Sequence, residues 1–409
     1  MALRVVVERP WLSRFLLSGG RRLLYGRRKT GKTFYARRVL REYQFFIVRR
    51  GGAIYDPVND ETLDVAGFLR LCRLGERIIL DEFHRADPRI FDAVQAGVCS
   101  EELVFITSTL HYYRRFVEEP EAPLKGLFAV RRVGLLTPLE LLNTGWGGLE
   151  EEPARLIEHL VFYQEPVLIG RSLGDIVASG MEYARSLLGE VLTEEDHRYT
   201  ARFDAILEAI AAGRTRLTEI SSYLYLRGLI EKDSPSHVTK YLDVMVRVGL
   251  LERLEVWGRR RGSIYRHYSP LTDLAYHLQA RYDFYEVPAP LEYGVRAARQ
   301  RLPLLVEVFA ERLLAQLYGL KPVKILEPEV DIALVRFKRL ELVAEVKWVS
   351  RLSRDEVRRV EEKLYRLEAE KRILIVPDES IVPETSLEVW DAKRMIKEAR
   401  AAKSILENL

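Results

Sequence analysis

Eight residues near the start of the chain have the types and spacing of a phosphate-binding loop. Residues 26–33 read GRRKTGKT, which fits the pattern G-x-x-x-x-G-K-[ST]. Glycines at the fixed positions let the backbone curl around a phosphate and turn its N–H groups inward. Lys32 would then reach the β and γ phosphates, and the Thr33 hydroxyl would bind Mg²⁺. The motif predicts binding of ATP with magnesium, through Gly26, Arg28, Lys29, Thr30, Gly31, Lys32 and Thr33.

Two acids follow an apolar run at residues 77–82, RIILDE. At the end of a strand beside the loop, Asp81 would hold the magnesium through water, and Glu82 would polarise the attacking water. Ser108 and Thr109 follow the apolar run 103–107. They have two interpretations, as sensors of the γ-phosphate or as an ordinary strand-end cap. Lys32 and Glu82 are therefore the expected catalytic residues, and Ser108 is a further candidate contact for ATP.

A second group of acids lies near the C-terminus. If strands 330–336 and 340–348 form a hairpin centred near Lys338, Asp331 lies opposite Glu345, and Lys347 points to the same face. Two carboxylates and a lysine can hold a divalent metal and a water that attacks a phosphodiester. The spacing resembles the PD-(D/E)XK nuclease core, in which an acid on the preceding helix often joins the metal site. Glu307 matches that acid best, with Glu311 as the reserve; a surface salt bridge is the alternative.

Between these sites the pattern is three amphipathic helices followed by a ribbon, at residues 199–268. In the third helix Val238, Leu242, Met245 and Val246 share one face, which is typical of a DNA recognition helix. The candidate DNA contacts are Ser236, His237 and Lys240, together with Arg259, Arg260 and Arg261 at the ribbon tip. The alternative is that this segment only joins domains and its charged tip is solvated.

The elements that must position these residues alternate between strands and helices. Short apolar runs at 22–26, 45–48, 77–80 and 103–107 suit strands buried on both faces of a parallel sheet, which predicts an α/β core. We predict a P-loop ATPase core at 1–136, a helical lid at 137–194, a winged helix-turn-helix at 195–287 and a restriction-endonuclease-like α/β domain at 288–409.

Bulk composition narrows the function classes. A net charge of +4 over 409 residues gives no evidence for wholesale coating of nucleic acid, so any DNA contact must come from a local patch. We expect no membrane span, because no run of about 18 apolar residues occurs. The two cysteines, Cys72 and Cys99, predict a reduced, cytoplasmic protein. The excess of arginine over lysine and the few amides suit a thermophile, although a GC-rich genome would also give the arginine excess.

Taken together, the loop, the LDEF run at 80–83 and the helical stretch after the sheet resemble the archaeal ATPases of the STAND class, relatives of AAA+ proteins. The resemblance implies a winged helix and often a nuclease-like C-terminal domain. Three positions depart from the usual pattern. Residue 84 is His instead of Gln, and residues 123–127 (PLKGL) lack the usual Arg, for which Arg131 or Arg132 would have to substitute. Gln164 replaces the Gly of a Gly-x-Pro nucleotide sensor.

Three functions fit these residues. The first is an ATP-hydrolysing switch that contacts double-stranded DNA. The second is an ATP-gated nuclease with a second divalent metal. The third is a signalling scaffold with protein partners only. The sequence favours the first and leaves self-association open.

Overall fold

The computed structural model describes residues 5–108, 113–194, 201–258 and 262–407. The chain divides into two compact units. We call Arg9–Leu135 with Ser186–Tyr199 the P-loop unit, and Met1–Glu8, Leu136–Arg185 and Thr200–Leu409 the C-terminal unit. The predicted winged-helix and nuclease-like segments therefore fall in the same unit.

The P-loop unit contains a seven-stranded sheet in the order β4-β3-β2-β5-β6-β1-β7. Its strands are β1 (Arg22–Tyr25), β2 (Gln44–Val48), β3 (Ile54–Asp56), β4 (Glu61–Leu63), β5 (Ile78–Asp81), β6 (Leu103–Thr107) and β7 (Ala129–Arg132). The strands from β2 to β7 in that order pair in parallel, which confirms the predicted α/β core. The antiparallel hairpin β3–β4 at one edge was not predicted, because each strand has three residues and little apolar character.

The helices of the P-loop unit are α1 (Pro10–Leu17), α2 (Lys32–Val39), α3 (Val65–Arg73) and α4 (Pro88–Gln95). The sequence pattern predicts that the helix after the P-loop runs from Lys32 to about Tyr43, but α2 ends at Val39. Leu40 leaves the helical region (φ −105°, ψ 66°) and is buried against the sheet. Packing of this leucine therefore ends the helix one turn early.

Cys72 and Cys99 form a disulfide within the P-loop unit. The expectation of two reduced cysteines is therefore wrong for this structure. The pair joins the end of α3 to the segment between α4 and β6, which are 27 residues apart in sequence. Their proximity arises from the packing of α3 and α4 on the same sheet, which spacing alone does not reveal.

The C-terminal unit begins with helices and continues into a ribbon. Its helices are α5 (Pro138–Leu142), α6 (Pro153–Tyr163), α7 (Leu173–Glu194, which ends among the residues of the P-loop unit), α8 (Ala201–Ala211), α9 (Leu217–Leu226), α10 (Pro235–Arg247), α11 (Pro270–Tyr282), α12 (Leu291–Tyr318), α13 (Arg354–Tyr365) and α14 (Ala392–Ala401). Strands β8 (Leu251–Glu255) and β9 (Ser263–His267) form the antiparallel ribbon after α10, in the predicted order. None of the helices in the described ranges is both long and apolar enough to cross a membrane.

Helix α12 is longer than predicted. The sequence pattern after Pro288 and Pro290 predicts a helix over residues 302–318, whereas α12 runs from Leu291 to Tyr318 and includes Pro303. A proline inside a helix removes one backbone hydrogen bond. Residues on both sides of Pro303, such as Ala298 and Phe309, are buried in one core, and this packing maintains the helix across the proline.

A five-stranded sheet completes the C-terminal unit, in the order β10-β11-β12-β13-β14. Its strands are β10 (Lys321–Val323), β11 (Ile332–Arg336), β12 (Arg339–Val346), β13 (Lys371–Ile375) and β14 (Glu388–Trp390). Ile332 lies opposite Ala344, which confirms the predicted register that brings Asp331 to Glu345. The register shifts by one residue near the turn, where a bulge lies between Leu334 and Val335.

Candidate nucleotide-binding site

The predicted phosphate-binding loop connects β1 to α2 and has the backbone of a curled loop. Gly26, Lys29 and Gly31 have φ of 138°, 62° and 86°, in the left-handed half of the backbone map. A Cβ on Gly26 would lie 2.3 Å from the Val133 carbonyl oxygen, so only glycine fits there. The loop therefore requires the glycine that the motif supplies.

Lys32 is buried, and its ammonium group lies within the loop. Its Nζ donates to the carbonyl oxygens of Gly26 at 2.6 Å and Arg27 at 2.8 Å. The Thr30 hydroxyl donates to the same Arg27 carbonyl at 2.9 Å. These bonds hold the lysine at the loop's centre, where the motif expects the β and γ phosphates.

Thr33 and Asp81 are brought into direct contact, although 48 residues separate them. The Thr33 hydroxyl donates to Asp81 Oδ2 at 2.6 Å, and the Glu82 amide donates to Oδ1 at 2.9 Å. Burial raises the pKa of Asp81 to about 6, and the nearby Glu82 charge adds to this effect. A hydroxyl and a carboxylate at this spacing are ligands that Mg²⁺ prefers, so the residues fit the expected metal.

Glu82 lies just after β5 in a left-handed conformation, with φ of 57°. The Ser108 hydroxyl donates to its Oε1 at 3.1 Å, and Arg28 of the loop lies 3.7 Å from the same oxygen. Ser108, the candidate sensor of the γ-phosphate, therefore lies beside Glu82. Thr109, the other polar residue predicted at this strand end, lies outside the described residues.

The other Glu82 oxygen faces two residues that the sequence analysis gave no role. Oε2 lies 3.2 Å from Arg85 and 3.6 Å from His84 Nε2. His84 Nδ1 is 3.0 Å from the Thr107 hydroxyl at the end of β6. His84, which departs from the family pattern, therefore lies between the ends of β5 and β6. In the sequence, only its position directly after Asp81, Glu82 and Phe83 pointed to a place in the site.

The candidate substitutes for the missing family arginine lie on β7. Arg131 and Arg132 are both exposed, and the Arg131 guanidinium stacks 5.9 Å from the centre of the Phe15 ring.

Gln164, at the predicted nucleotide sensor, lies in the C-terminal unit. Its side chain accepts from Arg312 Nη1 at 2.8 Å, so it connects α6 to α12.

A network of charges joins the ribbon to α12; we call Glu252, Arg266, Glu311 and Arg312 the Arg266 network. Glu311 is buried and the other three are half-buried. Arg266 bonds Glu252 at 2.8 Å and Glu311 at 2.5 Å, and Arg312 lies 3.0 Å from Glu252. Burial opposes ionisation of Glu252, but the Arg312 and Arg266 charges outweigh it and lower its pKa to about 2. These ion pairs therefore fix the inner face of the ribbon to α12.

Helix α10 has the two faces expected of a recognition helix. Val238, Leu242 and Met245 are buried, while Val246, predicted to join them, is half-buried. Ser236 and Lys240 are exposed and His237 is half-buried on the other side. The remaining candidate DNA contacts, Arg259, Arg260 and Arg261, lie outside the described residues.

The C-terminal acids meet as the register requires; we call Glu307, Asp331, Glu345, Lys347 and Lys363 the C-terminal charge cluster. Glu345 is buried, and its oxygens contact both Lys347 Nζ, at 3.0 Å, and Lys363 Nζ. The Asp331 amide donates to Glu345 at 3.3 Å, and Asp331 Oδ2 accepts from the Val346 amide at 2.8 Å. Glu345 thus has two cationic partners within the protein.

Glu307 and Asp331 line a cavity of about 250 Å³ that residues of the ribbon, including Ile264 and Arg266, also line. Burial and the Asp331 charge raise the pKa of Glu307 to about 8, although Lys324 lies 3.8 Å away. Glu311, the reserve candidate, bonds Arg266 instead. Within the described ranges, no group of three or more His, Cys, Asp or Glu side chains is arranged to hold a metal.

No family model and no curated protein matches the sequence. Several solved structures share part of the fold at low similarity. The Walker-type ATPase PABY2304 of Pyrococcus abyssi is 17% identical, with a TM-score of 0.43, over 66% of this chain and 96% of that one. The ADP form of the Aeropyrum pernix ORC2 protein is 16% identical, with a TM-score of 0.32, over 74% of this chain and 95% of that one.

A third similar structure is the Signal Transduction ATPase with Numerous Domains (STAND) protein PH0952 of Pyrococcus horikoshii. It is 12% identical, with a TM-score of 0.29, over 78% of this chain and 56% of that one. These TM-scores are too low to carry any role from those proteins to this chain. Its function has to be argued from its own residues.

Proposed function

We propose that this protein is an ATP- and magnesium-binding switch that hydrolyses ATP and contacts double-stranded DNA. The observation that carries the proposal is the 2.6 Å contact between Thr33 and Asp81, beside a lysine held in a curled glycine loop. These groups come from two distant segments, and both belong to the pattern that houses a triphosphate and its metal.

Lys32 and the loop amides neutralise the phosphate oxygens of ATP. Lys32 exchanges its bonds to the Gly26 and Arg27 carbonyls for bonds to phosphate, so the site is preorganised and little rearrangement is needed. Thr33 and Asp81 would hold Mg²⁺, which supplies further charge neutralisation when bound. The start of α2 adds the positive end of a helix dipole beneath the anion.

Glu82 orients the water that attacks the γ-phosphate. Ser108, Arg85 and His84 surround its carboxylate, which would accept a proton from the water. The same contacts fix the direction of the carboxylate. Hydrolysis therefore depends on residues from β5, β6 and the loop between them.

DNA contact is assigned to helix α10. Its exposed face carries Ser236 and Lys240 with the half-buried His237, and these donors suit phosphate and base edges. The Arg266 network occupies the inner face of the ribbon. We therefore assign contact with the DNA phosphates to the ribbon tip, through Arg259, Arg260 and Arg261.

The test is ATP turnover by the full chain with and without duplex DNA. We expect Lys32→Ala to abolish nucleotide retention and turnover, and Lys125→Ala, an exposed lysine of the same unit, to leave both unchanged. Retention of labelled ATP by Lys32→Ala at wild-type affinity would contradict the proposed site.

A DNA-binding assay separates the switch from a scaffold with protein partners only. We expect the triple variant Arg259→Ala, Arg260→Ala, Arg261→Ala to bind duplex DNA more weakly, with a smaller dependence on salt. Unchanged binding would favour the scaffold.

The convergence of Asp331, Glu345 and Lys347 keeps an ATP-gated nuclease as a second candidate. The cavity of about 250 Å³ beside Glu307 is far smaller than a DNA duplex, so cleavage would require the ribbon to move away from Asp331. Incubation of plasmid with ATP and Mg²⁺ or Mn²⁺ tests this candidate. Nicking that Lys347→Ala abolishes would support it.

A further inference from the structure

The tip of the β11–β12 hairpin presents an aromatic ring to solvent between cations. Arg336, Phe337, Lys338 and Arg339 are all exposed, and Phe337 is the most exposed large apolar side chain in the described part of the protein, at 94%. A phenylalanine at this exposure gains nothing from burial. Packing in the protein does not explain its presence.

The backbone of the turn does not explain it either. Phe337 and Lys338 have φ of 46° and 64°, in the left-handed region. Two-residue hairpin turns with both φ positive favour Asn and Gly, because a bulky side chain is strained in that conformation. Phe337 therefore adopts a backbone conformation that phenylalanine disfavours.

The charges around the ring are those of a polyanion-binding surface. Arg336 donates to the Tyr318 carbonyl oxygen at 2.6 Å, which anchors the base of the tip. Among the described residues, Lys338 and Arg339 have no ion-pair partner. Lys371, at the start of the neighbouring strand β13, lies 5.4 Å from the centre of the Tyr318 ring and adds a cation at the same end of the sheet.

We propose that this hairpin tip is a separate nucleic-acid contact, in which Phe337 stacks on a base and Lys338 and Arg339 bind the flanking phosphates. One exposed ring between cations matches the alternation of one base with its phosphates. An apolar side chain of this kind also wedges between base steps in proteins that bend DNA. A lipid surface needs a larger apolar face than one ring offers.

This contact goes beyond the proposed switch, since it lies on a different element from α10 and needs neither ATP nor the recognition helix. Variants of the recognition helix therefore distinguish the two. If Lys240→Gln leaves DNA affinity unchanged while Phe337→Asn lowers it, the DNA contact assigned to α10 fails and the hairpin contact stands.

The experiment measures affinity of the full chain for labelled single-stranded and duplex DNA by fluorescence anisotropy. Phe337→Asn removes the ring and puts a favoured residue into the turn, so we expect an equal or higher melting temperature with about tenfold weaker binding. The matched control is Val58→Asn, which replaces an exposed apolar residue in the β3–β4 hairpin turn and leaves binding unchanged.

The charges are tested by the salt dependence of binding. We expect the double variant Lys338→Gln, Arg339→Gln to lower the slope of log affinity against log salt by about 2. A DNA containing 2-aminopurine should change its fluorescence on binding the wild type, and much less on binding Phe337→Asn.

Three results would overturn the proposal. The first is Phe337→Asn binding both DNAs as tightly as the wild type. The second is an equal loss of binding in Val58→Asn. The third is capture by vesicles containing phosphatidylserine that requires Phe337, in a protein whose DNA affinity does not depend on that residue.

Discussion

The P-loop site and the Arg266 network both bury charge, but they neutralise it in different ways. In the Arg266 network, Glu252, Glu311 and both arginines contact groups of opposite charge. At the P-loop site, Asp81 accepts from a neutral hydroxyl and a backbone amide, and the nearby Lys32 bonds two carbonyls. In the network, arginines neutralise the carboxylates, whereas the hydrogen bonds that Asp81 accepts come from neutral groups. We expect such a difference if the P-loop site receives charge from a bound ligand.

The C-terminal charge cluster is intermediate between these two. Glu345 has Lys347 and Lys363 as partners, which is typical of a structural charge. Glu307 and Asp331 keep raised pKa values because burial opposes their ionisation, with a further contribution from the Asp331 charge at Glu307 and from the Glu345 charge at Asp331. Similar residue types therefore have different charge environments at the P-loop site and in the C-terminal charge cluster.

The largest expected effect is on hydrolysis. Glu82→Gln keeps the shape of the side chain but cannot accept a proton from water, so we expect ATP turnover to fall about 10³-fold while nucleotide binding is kept. Single-turnover kinetics and a binding isotherm measure the two separately. A variant with normal turnover would show that Glu82 is a structural charge like those of the Arg266 network.

The proximity of Thr33 and Asp81 was predictable although 48 residues separate them, because each lies in a recognisable sequence pattern. Lys32 and Thr33 lie in one motif, and Asp81 ends a strand whose apolar run is easily recognised.

The pairing of Asp331 with Glu345 was predicted correctly, but its cause was not. Arg336 pairs with Arg339 across the turn, and the bulge between Leu334 and Val335 shifts the register by one residue, which brings Asp331 opposite Glu345. The spacing along the hairpin did not reveal this bulge.

Contacts between distant segments that belong to no recognisable motif could not be predicted. Glu311 was weighed as a metal ligand, but it bonds Arg266, which lies 45 residues away on the ribbon. The pairing of Cys72 with Cys99 and the contact of His84 with Thr107 depend in the same way on how helices and strands pack. Such contacts leave no periodic signal in the sequence.

The Arg266 network should respond strongly to the loss of one partner. Glu252→Gln leaves Arg312 and Arg266 short of one negative charge, so we expect the free energy of unfolding at pH 7 to fall by about 2–3 kcal/mol in urea titrations. The control Glu255→Gln breaks an ion pair with Lys321 in which both side chains are more than 60% exposed, and should cost under about 1 kcal/mol.

The pH dependence gives a second measurement on the same variant. The pKa of Glu252 is lowered from 4.5 to about 2, so its stabilisation is complete above pH 4.5 and is lost as the pH falls toward 2. The difference between wild type and Glu252→Gln should therefore shrink below pH 4.5. A difference that stays constant in acid would mean that the carboxylate charge is not what stabilises the ribbon.

At the P-loop site, neutralising a carboxylate should raise the free energy of unfolding instead of lowering it. Asp81→Asn removes a buried charge that lies beside Glu82, so we expect the nucleotide-free protein to gain about 1–2 kcal/mol of unfolding free energy. The same variant should lose most of the stabilisation that ATP with Mg²⁺ gives the wild type. Destabilisation of the nucleotide-free protein would instead place Asp81 with the structural charges.

We expect the smallest change in unfolding free energy in the C-terminal charge cluster. Lys363→Met removes one of the two cationic partners of Glu345, while Lys347 stays 3.0 Å away, so we expect a loss of about 1 kcal/mol in unfolding free energy. The control Lys397→Met changes an exposed lysine of α14 and should have no effect. If Lys363→Met instead stabilises the protein, Glu345 is not neutralised by its lysines, and the cluster resembles the P-loop site more than the Arg266 network. The nuclease candidate would then gain support, because the lysines near Glu345 would be held there for a phosphate and not for the carboxylate.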